Sequence, residues 1–187
     1  AGSFGQLGNG DTTGSTVPVS IELVDVDRVR LGARSTCALA GGRAYCWGDN
    51  SDGQIGDGNE VARTGPAEVL APNNFVDIAI AAYSGTAAHA CAVAPDGEIA
   101  CWGRNDRGQL GDWIGVGQAT PDAVGLSSVY AVGVGYSHAC TLDDVSNVAC
   151  WGANTMSQLG GLPSDPSFEP VSVSGIAASD WLVSGFE

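Results

Sequence analysis

One motif recurs along this chain, and it decides what the chain can fold into. Cys46-Trp47-Gly48-Asp49-Asn50-Ser51-Asp52-Gly53-Gln54-Ile55-Gly56 returns as Cys101-Trp102-Gly103-Arg104-Asn105-Asp106-Arg107-Gly108-Gln109-Leu110-Gly111, then as Cys150-Trp151-Gly152-Ala153-Asn154-Thr155-Met156-Ser157-Gln158-Leu159-Gly160. Trp47, Trp102 and Trp151 lie 55 and 49 residues apart. A copy of that length is one supersecondary unit that cannot bury its own apolar face, so successive copies stack around shared cores. Function then falls on the surface of an array. Both ends interrupt a copy. Gly5-Gln6-Leu7-Gly8 matches the end of the motif, and Trp181 to Glu187 align with Ala131 to Ser137, just short of a counterpart to His138-Ala139-Cys140. The sequence reads as a piece of a longer repeat domain.

The chain is 44% hydrophobic and 15% charged and holds 28 glycines among 187 residues. That supports a core threaded with tight turns and suits an all-β protein. Apolar positions at helical spacing are lacking over any useful length, whereas short β-branched runs such as Phe75-Val76-Asp77-Ile78-Ala79-Ile80 are bounded by Pro, Asn and Gly. No apolar run approaches the roughly 18 to 20 residues that span a bilayer, so membrane insertion of this segment is not expected. Twenty-one acidic against seven basic residues give a formal charge of −14, which repels phosphate backbones and argues against a nucleic-acid partner.

All six cysteines belong to the repeats, as Cys37 with Cys46, Cys91 with Cys101 and Cys140 with Cys150. A two-residue Gly41-Gly42 turn sets Ala40 opposite Arg43 and therefore Cys37 opposite Cys46. Three-residue turns at Pro95-Asp96-Gly97 and Asp144-Val145-Ser146 close the other two pairs in the same register. Three different turns thus give one pairing, at non-hydrogen-bonded sites where Cα atoms approach to roughly 4.5 Å. Disulfides are the expected reading, with buried free thiols and zinc ligation as the alternatives. Disulfides imply an oxidising setting: extracellular, cell surface or periplasmic.

The run from Cys-Ala-Leu or Cys-Ala-Val through a Gly-bearing turn to Cys-Trp-Gly-x-Asn-x-x-Gly-Gln-Leu-Gly resembles the regulator of chromosome condensation repeat. It is most similar to the cysteine-bearing form found in exported bacterial proteins. The resemblance covers essentially the whole chain and implies a β-propeller of four-stranded antiparallel blades, here a partial ring of about three and a half. On that template residues 1–16 end a truncated repeat, and blades occupy 17–48, 66–103 and 121–152, with a half blade at 170–187. Each blade is expected to open on the strand preceding its hairpin: Val17 to Leu23, Ala67 to Leu70, Asp122 to Gly125, and Pro170 to Val173 followed by Trp181 to Ser184.

The recurring residues have structural readings. Trp47, Trp102 and Trp151 are expected to be structural residues of the repeat. Asn50, Asn105 and Asn154 belong to the turn after the Trp-Gly strand, and Gln54, Gln109 and Gln158 bond backbone groups of that turn or of a neighbouring blade. Gly53 and Gly108 supply positive φ there, and Ser157 departs from that pattern. His89 and His138 recur two residues before a cysteine and are expected to pack between blades. A repeated calcium loop is excluded because the alternating ligand pattern fails at Asp49 to Gly53 and is replaced in the other copies. Two histidines at equivalent blade positions do not converge on one nucleophile, so no catalytic residue, cofactor or metal is assigned.

Function is sought where the copies differ, since a propeller holds varied loops on a rigid frame. Asp112-Trp113-Ile114 stands where other copies have Asn9-Gly10 or Asp57-Gly58, which marks Trp113 and Ile114 as candidate partner contacts, against the plainer reading that Trp113 covers a neighbouring blade. Tyr83, Tyr136 and Phe186 sit near matching strand ends as a possible aromatic rim. The leading expectation is a non-enzymatic exported scaffold binding a protein, peptide or glycan through one face. The alternative is a structural subunit of an extracellular assembly whose open edges meet the remainder of the ring or a second chain.

Overall fold

The computed structural model describes residues 2–72, 74–81 and 88–173. Among these residues there is no helix, and the chain runs through twelve strands. The first sheet takes β1 (Val26–Leu31), β2 (Ser35–Ala40), β3 (Arg43–Gly48) and β4 (Arg63–Glu68) in sequence order. The second takes β5 (Asp77–Ile80), β6 (His89–Val93), β7 (Ile99–Gly103) and β8 (Gln118–Ala123). The third takes β9 (Val129–Val134), β10 (His138–Asp143), β11 (Val148–Gly152) and β12 (Ser167–Ser172). Every pairing is antiparallel between neighbours. These are three blades of one pattern. They stack through their first two strands, with β2 and β1 against β5, and β6 and β5 against β9.

The hairpin register follows from turn chemistry. Gly41 and Gly42 both have positive φ, 56° and 79°, and set Ala40 opposite Arg43. Gly97 (φ 83°) and Ser146 (φ 69°) take the left-handed position of the two longer turns. Each register brings cysteine opposite cysteine, and Cys37–Cys46, Cys91–Cys101 and Cys140–Cys150 are all bonded, with Cα atoms 4.1 Å apart. No cysteine is left free.

The outer strands depart from the sequence expectation. Residues 63–68, 118–123 and 167–172 do not open the blade that follows them. They pair with the Cys-Trp-Gly strand before them, Cys46 opposite Ala67, Cys101 opposite Asp122 and Cys150 opposite Val171. The sheets therefore fill 26–68, 77–123 and 129–172, and Pro170 to Val173 serve to close the third blade. Residues 17–23 hold the corresponding position of the first copy but form no strand. The reason lies in the loop after each Trp-Gly: its internal bonds turn the chain straight back along the strand just completed. Pro66, Pro121 and Pro170 mark these segments as edge strands, where a missing N–H costs nothing. Trp181 to Ser184, the rest of the expected half blade, lie outside the described residues.

The cores sit between blades. Cys37, Leu39 and Cys46 of the first blade meet Ile78, Ile80, Ala90, Ala92 and Trp102 of the second, with Ile55 and Val69 completing the cluster. Cys91, Val93, Ile99 and Cys101 meet Ala139 and Trp151 in the same way at the next junction. The first two disulfides thus form part of the wall on which the following blade packs, and Trp102 and Trp151 face back onto the blade before them.

Candidate binding face

After each Trp-Gly strand the chain enters a loop, residues 49–62, 104–117 and 153–166, and all three are built alike. The side chain of Asn50 accepts a bond from Ile55 N–H at 2.9 Å and donates to the carbonyls of Asn59 (2.8 Å) and Val61 (3.1 Å). Asn105 repeats this with Leu110 N–H and the Val116 carbonyl, and Asn154 with Leu159 N–H and the Leu162 carbonyl. All three asparagines are buried, and a buried amide that uses both ends fixes the loop about itself.

The glutamines divide their work between side chain and main chain. Oε1 of Gln54, Gln109 and Gln158 accepts the N–H two residues earlier, from Asp52, Arg107 and Met156. The main-chain carbonyls of Gln54 and Gln109 serve the next blade: Trp102 Nε1 donates to Gln54 O at 2.9 Å and Trp151 Nε1 to Gln109 O at 2.8 Å. The first, partial copy supplies the same group, with Trp47 Nε1 donating to Gln6 O at 3.0 Å. The closing glycines Gly8, Gly56 and Gly111 lie against these indoles so closely that a Cβ would fall 2.6 to 3.1 Å from the ring atoms.

Ser157 keeps the turn despite lacking the glycine. Its φ is 63°, against 75° at Gly53 and 76° at Gly108. Its N–H donates to the Asn154 carbonyl at 3.1 Å as Gly53 N–H does to Asn50. His89 is fully buried on β6. His138 is half-buried on β10, and its desolvation lowers its pKa below the ordinary histidine value. Its ring lies over the backbone of Gly135, where a Cβ would be 2.1 Å from it.

One carboxylate not singled out by sequence stitches the inner strands. Asp77, almost wholly buried, takes Arg28 Nη1 at 2.5 Å and Arg30 Nη2 at 3.4 Å from β1, and Val132 N–H at 3.2 Å from β9. Its counterparts in the other blades are Arg28 and Ala131. No repeated signal existed to reveal it. Between loops, Asp52 accepts from Ala88 N–H at 3.4 Å and lies 3.6 Å from Arg104, and burial pushes its carboxyl above the usual range.

Trp113 sits where two other copies have glycine, in backbone as well as in sequence. Its N–H donates to the Phe168 carbonyl of β12 at 2.9 Å, as Gly10 N–H does to Thr64 and Gly58 N–H to Ala119. Its φ is 66°, beside 94° at Gly10 and 82° at Gly58. The left-handed conformation is costly for a bulky L-residue. Asp112 holds it there, accepting from Ile114 N–H (3.0 Å), Gly115 N–H (3.3 Å) and Asn105 Nδ2 (2.7 Å). Among the described residues the side chain is left largely uncovered: Trp113 is 71% exposed and Ile114 66%, with Val116 at 62%. Tyr136 is half exposed, while Tyr83 and Phe186 fall outside the described residues. Among the described residues no cluster of three His, Cys, Asp or Glu side chains could hold a metal, and no helix is long and apolar enough to cross a membrane.

Comparison with known proteins agrees with this architecture. Residues 41–88 match a family model described as Regulator of chromosome condensation (RCC1) repeat, and residues 78–109 match a second model so described. The chain is 35% identical over 115 residues to the human E3 ubiquitin-protein ligase HERC2, which spans 59% of this chain and 2% of that protein. Human WBSCR16 superposes with a TM-score of 0.78 at 24% identity, over 93% of this chain and 46% of that one. Prp20p from Saccharomyces cerevisiae, described with its binding to Gsp1p and histones, gives 0.68 at 22% identity, over 83% and 40%. The chain therefore spans less than half of each.

Proposed function

We propose that this chain of regulator of chromosome condensation repeats is a non-enzymatic binding module of an exported protein. It holds a protein, peptide or glycan on the propeller face that carries the Trp113 loop. The observation that supports this is an exposed indole kept at φ 66° where two other copies place glycine. An arrangement that costs stability and gains no packing is understandable if the side chain is used by something outside the fold. The neighbouring solved propellers include one described as bound to Kap60 and one described with Gsp1p and histones; those ligands belong to those proteins, and only the use of the fold for binding is carried over. Three disulfides support an oxidising setting.

A second reading, a subunit joined to others through propeller edges, draws on the third blade. Gly56 meets Val69 and Trp102, and Gly111 meets Val124 and Trp151. Gly160 meets Val173 in the same way, beside a cavity of about 460 Å³, with no indole from the described residues. The two readings separate on one experiment. The oxidised protein and its Trp113→Gly variant are screened on immobilised peptide and glycan libraries, and each is sized in solution. Ligands lost with Trp113 from a monomer support the binding module. Self-association with no Trp113-dependent ligand favours the structural subunit and overturns the first reading.

A further inference from the structure

The same loop carries chemistry that narrows the partner. This step rests on the binding reading above. Trp113 N–H is bonded to the Phe168 carbonyl, and a Cβ at Gly115 would lie 2.8 Å from the Phe168 ring, so residues 113–115 run beside the start of β12. Asp165 and Glu169 flank Phe168 in that segment, Asp165 exposed and Glu169 partly so. Neither carboxylate is in an ion pair among the described residues, whereas Asp57, Glu68, Asp77 and Asp106 each hold an arginine. The arginines are used up elsewhere: Arg28 and Arg30 on Asp77, Arg43 on Glu68, Arg63 on Asp57 and Arg104 on Asp106. Arg34 lies over the Phe4 ring. The seven basic residues of the chain are all arginines, which leaves only the exposed Arg107 against a large acidic excess.

An exposed indole on a segment that runs along the one bearing two carboxylates outside the described ion pairs offers the chemistry that receives a cation. The ring quadrupole attracts an ammonium or guanidinium laid over it, and nearby carboxylates add charge-assisted hydrogen bonds. The apolar neighbours Ile114 and Val116 give the aliphatic stem of such a side chain somewhere to lie. We propose that the Trp113 loop is a receptor for a lysine- or arginine-bearing peptide segment, the cationic head between the Trp113 ring and the carboxylates of Asp165 and Glu169. The net charge of −14 steers such a segment inward and turns an acidic one away.

The test uses two synthetic peptides of one length and apolar pattern, one carrying Lys and Arg and the other Glu at the same positions. Binding to the oxidised chain is followed by calorimetry at 50 and 300 mM salt. The cationic peptide is expected to bind, to weaken several-fold at the higher salt, and to be lost with Trp113→Gly. The double variant Asp165→Asn/Glu169→Gln is expected to weaken it at least threefold while the thermal midpoint holds. Equal affinity for both peptides, no binding of the cationic one, or indifference to the Asp165/Glu169 variant overturns the cation assignment. A Trp113-dependent ligand of another class found in the library screen would leave the binding module standing while the cation assignment falls. Cationic binding that survives Trp113→Gly overturns the placement on this loop.

Discussion

The indole of Trp102 donates to the main-chain carbonyl of Gln54 across the junction between the first two blades, at 2.9 Å and 48 residues of separation. Trp102 is fully buried in the cluster that joins these blades. Replacing it by alanine removes the packing, leaves a cavity and orphans the carbonyl. We expect Trp102→Ala to cost about 3–5 kcal/mol, and Gln54→Ala, which removes one turn bond and leaves the acceptor in place, about 1 kcal/mol. Chemical denaturation of both variants checks the ratio. Equal costs would mean that the amide, and not the indole contact, holds the junction.

Trp113 and Ser157 both occupy left-handed backbone at positions where two other copies have glycine, Gly10 and Gly58 for the first, Gly53 and Gly108 for the second. Trp113→Gly and Ser157→Gly should each raise stability, by about 1 kcal/mol, through relief of that conformation. Trp113→Ala keeps a Cβ and should gain little. Thermal melts of the three variants decide the matter, and a loss of stability in Trp113→Gly would show that the indole supports the fold after all.

Reduction should weaken the blades without dissolving them. Each bond closes a loop of only 9 or 10 residues, for which chain entropy gives an upper figure of about 2–3 kcal/mol each. The flanking ladders persist without the bond. Added phosphine reductant should lower the urea midpoint while the far-ultraviolet spectrum below it stays that of an all-β protein. A random-coil spectrum on reduction would make the disulfides a condition of folding.

Acid should loosen the third blade through His138. Burial lowers its folded pKa below 6.5, so the unfolded chain binds the proton more readily. Stability is then complete above about pH 6.5, falls as the pH drops through the interval between the unfolded and the lowered folded pKa, and levels off below it. Urea midpoints of the wild type and His138→Gln between pH 7.5 and 5 isolate this contribution from the carboxylates. The variant should show the shallower slope, and parallel slopes would remove His138 from the account.

How much of this was legible in sequence depends on where the determinant lies. The cysteine pairs were readable because a turn of known length counts outward to them, and Gly41, Gly42 and Gly97 carry the φ values that such turns demand. The sheet to which Arg63–Glu68 belongs was not, because a period has no phase: strands repeating at fixed intervals can be grouped with what precedes or follows. Pro66, Pro121 and Pro170 were the available clue, since they confine their strands to edges. The acceptor for each indole escaped notice because it is a backbone atom that no side chain announces. Trp113 stands out in the sequence as a bulky insertion, and its alignment with Gly10 and Gly58 contains the strained backbone.

The backbone acceptor at Gln6, Gln54 and Gln109 makes the bond between one blade and the next indifferent to residue identity on the receiving side. Any hairpin ending in Trp-Gly fits behind any loop of this shape, so a unit could be copied, lost or exchanged without a matching change in its neighbours. The array is interchangeable at its joints, which leaves each loop free to diverge alone.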